Sequence, residues 1–228
     1  MKKIGMLAAV EIGAVLERYG DPARTEKIGK LEFSIYETPA YELTVCHSGA
    51  GEILSSAGTQ LLITHYHADM IVNFGVVGGL TDAMAVARSC IVTKVVHYDY
   101  DISGIDPVKP GQYSMLPDEY IPLEPSFIEK ALTEMPDLPT AVCASGDKFV
   151  ADPEKKRALH VSFGADICDM ESAAIALICY TNQVPCLMIK TVSDGIDSAD
   201  QFYQEFERTS GLALNLADRI IRTLSSGE

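Results

Sequence analysis

Three carboxylates stand where apolar segments end, positions at which a charge contributes nothing to packing: Glu11, Glu171 and Asp194. Glu171 belongs to DICDMESAAIA (residues 166–176), in which a short apolar strand runs into a helix of small, uncharged residues. A buried carboxylate without hydrogen-bond donors costs roughly several kcal/mol. The paired hydroxyls of a ligand diol would supply such donors, and so would the free backbone N–H groups at the start of its own helix. The residues alone leave both open. Asp194 lies in TVSDG (191–195) after an apolar run, where desolvation would keep a proton available for acid chemistry. Asp before Gly also marks turns and helix caps, and by itself that is the commoner meaning. Glu11 opens a helical stretch and reads first as an acid in a helix's first turn.

The elements that must position these groups follow from hydrophobic patterning. Residues 3–10, 69–74, 89–96, 140–144, 166–169 and 185–192 are apolar runs of strand length. Residues 30–37 and 41–47 form a hairpin pattern turning at Thr38-Pro39-Ala40. Helices are expected over 11–19, 52–67, 126–133, 153–160, 170–180 and 198–224. Gly75, Gly78 and Gly79 are expected in a loop that lets backbone approach a ligand closely. Residues 98–118 read as a long irregular segment. This alternation predicts an α/β fold with a mixed central β-sheet and helices on both sides, in a single domain over 1–228. Ligands of such sheets bind at the carboxyl ends of strands. Gly75, Ser145, Glu171 and Asp194 all follow predicted strands, which places them at one site.

Composition narrows the partners. The net charge is −14, which argues against nucleic acid or an anionic membrane. No apolar run is long enough to span a membrane. The opening MKKIGMLAAV is followed at once by acidic and polar residues, so it is not read as a signal peptide. The six cysteines lie singly in mostly apolar segments without metal-ligand spacing, as buried thiols of a reducing cytoplasm would.

DMESAAIA (169–176) resembles the ribose-binding signature of the nucleoside phosphorylase superfamily. SGAGEILSSAGTQLLI (48–63), VNFGVVGGL (72–80), SGDKFV (145–150) and TVSDG follow that family's order and spacing. The resemblance covers nearly the whole chain and is closest to the 5'-methylthioadenosine/S-adenosylhomocysteine nucleosidases. It implies a three-layer, mixed-sheet α/β fold and hydrolysis of a purine N-glycosidic bond that releases adenine. Such cleavage builds positive charge on the ribose and negative charge on the base. By this resemblance Asp194 is the acid for the leaving base, with Ser193 placing it. Glu171 and Met170 hold the ribose, Phe149 stacks on the base, and the Val150 backbone reads the base edge. Val76 and Gly78 belong to the glycine stretch. Val10, Ala50, Ile102, Ile105 and Tyr203 surround the 5' group, with Ile102 and Ile105 reaching across from a homodimer partner. No metal or organic cofactor is implied.

Two departures fall on the side of the sugar that receives the nucleophile. The nucleosidases carry A-M-x-x-E after the first strand, its Glu activating water; here the string is Ala9-Val10-Glu11-Ile12-Gly13. Gly13 stands in the place of the base, and Glu11 substitutes only if the loop is two residues shorter or its side chain is re-aimed. Val76 replaces a hydroxyl residue. Two other functions follow from these departures. One is a phosphorylase, disfavoured because Asn73 and Val76 remove the phosphate cradle, although Lys148 and Lys190 are near the motifs. The other is a nucleoside-binding protein without turnover.

Overall fold

A computed structural model describes residues 1–225. The first strand, β1 (Lys2–Ala8), lies parallel to β4 (Tyr41–His47) and to β5 (Met70–Gly79). β3 (Leu31–Glu37) pairs antiparallel with β4. A strand not expected from the sequence, β2 (Arg24–Ile28), pairs with β3 at the sheet edge. Its RTEKI is polar and carries little hydrophobic pattern. β6 (Ser89–His97), the two-residue β7 (Ile121–Pro122), β8 (Thr140–Ser145), β9 (Ile167–Asp169) and β10 (Cys186–Asp194) complete a mixed ten-stranded sheet. β10 pairs with both β5 and β6, and β8 and β9 link β6 back to β5, so these five strands close on themselves.

Six helices occur among the described residues. α1 (Ile12–Tyr19), α3 (Pro125–Glu134) and α6 (Gln201–Ser225) form one group, packed on β5, β6 and β10. On α6 the buried residues Ala213, Leu214, Ala217, Ile220, Ile221 and Leu224 recur every three or four positions, the stripe an amphipathic helix lays on a sheet. α2 (Glu52–Thr64) and α5 (Ser172–Asn182) pack on each other and on the sheet. Buried Ala173, Ala174 and Ala176 keep the α5 side of that contact thin. α4 (Pro153–Phe163) is capped by Asp152, whose carboxylate accepts from Glu154 N, and ends at Gly164 in the left-handed conformation. No described helix is long and apolar enough to cross a membrane. All six cysteines are buried and unpaired.

One expected feature is corrected: Gly75, Gly78 and Gly79 belong to β5 and not to a loop. Asp194 is the last residue of β10. β10 is buried along its whole length although it carries Lys190, Thr191, Ser193 and Asp194. Polar groups in such a strand need partners, and those partners define the site.

Candidate active site

β10 lies between two carboxylate clusters. Midway along β10, Lys190 pairs in register with Gly75 of β5. Its Nζ meets Asp169 Oδ2 at 2.8 Å, with both side chains 2% exposed. Burial opposes the charge on Lys190, but Asp169 and, farther away, Glu171 more than offset it and hold the lysine above its usual range. Burial likewise opposes charge on Asp169; Lys190 and the Ser172 hydroxyl, which donates to Oδ2 at 2.5 Å, hold that carboxyl below its usual range.

Glu11 stands beside Lys190. It follows β1 by three residues and precedes α1, yet its side chain makes no bond to the helix start. The carboxylate turns inward, 4% exposed, with Oε1 accepting from Val76 N at 3.1 Å and Oε2 from Val10 N at 3.0 Å. The first-turn role is therefore corrected: the side chain is re-aimed at the glycine stretch. Gly75 is required by this approach, since a Cβ there would lie 2.6 Å from Glu11 Oε1 and 3.7 Å from Lys190 Nζ. Gly13 has open space where a Cβ would be.

Glu171 precedes α5 but does not cap it; Oε1 accepts from Gly51 N at 2.9 Å. Asp169 instead takes the helix-start N–H of Ser172 at 3.2 Å. Of the two donor sources open to Glu171, its own helix start is thus ruled out. Burial, aided by the charge of Asp169, pushes Glu171 up to about 7. Glu52 lies behind, taking the Ser145 hydroxyl at 2.6 Å and Ala174 N at 2.5 Å, and burial pushes it up to about 8.

At the far end of β10, Asp194 is 1% exposed. Oδ1 lies 2.9 Å from the Ser193 hydroxyl, and Oδ2 accepts from Lys156 Nζ at 2.5 Å. A buried cation accompanies the carboxyl, a partner not foreseen from the sequence. The Asp194 carboxyl is pressed against Gly78, whose added Cβ would be 3.3 Å from both Oδ2 and Lys156 Nζ. Asp194, Gly78, Met170, Phe149, Val150 and Lys148 border one small cavity. Phe149 is 53% exposed there and meets Phe202 edge-on at 5.4 Å.

The structure thus brings Glu11 and Val76 together beside the middle of β10 and Asp194, Ser193, Gly78, Met170, Phe149 and Val150 at its C-terminal end, with Glu171 held from the α2 side. It does not draw Ile102, Ile105 or Tyr203 into that cavity. Ile105 is 86% and Tyr203 88% exposed, Ala50 is exposed, and Ile102 is half-buried in the 98–118 segment. Two members were missed in the sequence. Asp169 was legible only as a strand end. Lys156 lies three residues before Leu159 and seven before Phe163, so it occupies the inward stripe of α4. That spacing was the available signal.

A sheet closed through β5 and β10, a Met-Glu pair at the start of α5 and an aspartate ending β10 define a nucleoside-handling fold. The chain belongs to the phosphorylase superfamily, whose family model matches residues 4–226. The 5'-methylthioadenosine/S-adenosylhomocysteine nucleosidase of Bacillus subtilis (strain 168) is 30% identical over 218 residues, covering 92% of this chain and 94% of its own length. The nucleosidase of that name from Helicobacter pylori, solved in complex with a pyrrolo-pyrimidine pyrrolidinol, superposes with a TM-score of 0.91 at 26% identity, covering 97% of this chain and 98% of that one. A Helicobacter pylori structure described as futalosine hydrolase gives a TM-score of 0.90 at 25% identity, with the same two coverages.

Proposed function

We propose that this protein is a purine nucleosidase that hydrolyses the N-glycosidic bond of 5'-methylthioadenosine/S-adenosylhomocysteine-type nucleosides and releases adenine. The observation that carries this reading is the re-aimed Glu11. Its carboxylate reaches the glycine stretch beside Lys190, so a base is available on the nucleophile side despite Gly13. Glu11 accepts the proton of the attacking water. Glu171 accepts from the ribose hydroxyls and offsets the positive charge that grows on the sugar. The Asp194 end supplies a proton to the departing base. Phe149 stacks on the base and Met170 packs on the sugar. Lys190 is committed to Asp169, so it is not free to hold phosphate, which favours water as nucleophile.

Val10 and Ala50, with Tyr203, line the 5' side in this reading, and Ile102 and Ile105 come from the second copy of a cytoplasmic homodimer. The 86% exposure of Ile105 suits a residue that a partner covers. The test is base release, adenine from 5'-methylthioadenosine and S-adenosylhomocysteine and hypoxanthine from futalosine, with and without phosphate. Release from either adenine nucleoside without phosphate is the expected result. Strict phosphate dependence, or binding without release, overturns it.

Glu171 sets a pH dependence. Its folded value near 7 lies above the ordinary carboxylate value, so its contribution to stability is present at low pH and is lost as pH rises through about 7. Ribose hydroxyls donate to the ionised form. The rise in melting temperature produced by a bound nucleoside should therefore be larger at pH 8 than at pH 5.5, and kcat/KM should fall below about pH 7. Glu171→Gln should flatten both trends and lower kcat/KM by roughly 10- to 100-fold. Thermal-shift and rate profiles check this.

A further inference from the structure

The leaving-group end holds a cation that the reaction as described leaves unused. Lys156 is 0% exposed and, with Leu159, is one of the two buried residues of α4. Its Nζ donates to Asp194 Oδ2 at 2.5 Å and to the Gly195 carbonyl at 2.7 Å. Burying an ammonium and a carboxylate together is a poor way to gain stability, because desolvation consumes most of their attraction. An apolar side chain at 156 would anchor α4 to β10 at lower cost. The pair is also aimed: it lies against Gly78, where a side chain would crowd it, and Asp194 and Gly78 border the cavity that also holds Phe149 and Met170.

We propose that Lys156 is a positioning residue for departure of the base: it fixes the Asp194 carboxyl against Gly78 and shares with it the proton that the base takes. This rests on the nucleosidase reading above. The C1'–N9 bond breaks and its electron pair goes to the base. Lys156 Nζ passes a proton to Asp194 Oδ2 and becomes a neutral amine, and the carboxyl so formed gives a proton to a ring nitrogen of the base. Water adds its oxygen to C1' and loses a proton to Glu11, from which it returns through solvent to the amine.

Other groups facing the pair do not duplicate the ammonium. Cys168 of β9 lies under Gly78, and burial pushes its thiol up to about 12. Asp169 of the same strand is bound to Lys190. Lys148, on the loop bordering the cavity, reaches Asp99 at 3.3 Å, and Arg157 pairs with Asp197 on the surface. Ser193 meets the other Asp194 oxygen.

The test compares pH profiles of kcat and KM for 5'-methylthioadenosine in the wild type, Lys156→Met and Lys156→Gln. A carboxylic acid alone gives up its proton at lower pH than an ammonium does. Both variants should therefore recover toward wild-type turnover near pH 5.5 and lose kcat by about 30-fold or more near pH 8.5, with KM little changed. Lys156→Arg should restore part of the alkaline activity. The loss should shrink for the 2-chloroadenine analogue, whose base leaves with less need of a proton. Lys156→Gln keeps the test open if Lys156→Met fails to fold. A deficit equal at all pH values, or no deficit, overturns the role of Lys156 while leaving the nucleosidase standing. Absence of phosphate-independent release by the wild type is read first, and it removes both.

Discussion

Asp194→Asn is expected to lower kcat for adenine release by on the order of 10³-fold while KM changes by less than about tenfold. The reason lies in what an amide can do at the end of β10. Asn still offers an oxygen to Lys156 and to ligand, so most ground-state contacts survive. It cannot take a proton from an ammonium and hand one to a departing base. The substitution also leaves Lys156, with no exposed side-chain surface, facing a neutral group. Breaking a buried pair in this way costs up to about 3 kcal/mol here, since the amide oxygen still accepts. For a chain of this size that is a fall in melting temperature of roughly 6–12 °C. Steady-state kinetics, nucleoside binding and a thermal melt separate the two effects. Unchanged turnover would remove Asp194 from the proton path.

Glu11→Gln is the second large effect. It should reduce kcat by about 10²- to 10³-fold. Both Glu11 oxygens accept from backbone, at Val76 and Val10. A glutamine has one acceptor oxygen, so its amide N–H group would face one of those donors and leave it unsatisfied at a cost of about 1–3 kcal/mol. The side chain is then displaced as well as unable to take a proton from water. Single-turnover rates at saturating nucleoside, which report the chemical step apart from product release, are the measurement. Full activity would move the base role away from residue 11.

The difference between what could and could not be read from the sequence has a physical pattern. Long apolar runs such as β5 and β10 and the striped face of α6 declare themselves, because burial imposes a period on them. RTEKI of β2 does not, since an edge strand facing solvent needs no apolar face. Among the site residues, Glu171 and Asp194 stood out as charges at apolar boundaries. Glu11 was visible, but its direction was not: whether a carboxylate next to a helix start points along the helix or back into the sheet depends on Gly75, far along the chain. Lys156 was hidden for the opposite reason. PEKKRALHVSF looks like a solvated helix, and only its spacing to Leu159 and Phe163 gives its inward orientation away. Ion pairs between distant elements, such as Lys190 with Asp169, have no local signature at all.

The pairing of β10 with β5 slips between Val192 and Asp194, so that Val192 faces Val77 while Asp194 faces Gly78, with Ser193 extra. Such a bulge re-aims the residues after it without disturbing the pairing before it. The consequence is modular. The regular pairing up to Val192 belongs to the sheet, and the short stretch from Ser193 to Asp197 can vary without disturbing it. A designer wishing to exchange one purine for another therefore has a natural graft point: residues 193–197, swapped together with position 156, can be rebuilt while the scaffold that closes the sheet is left untouched.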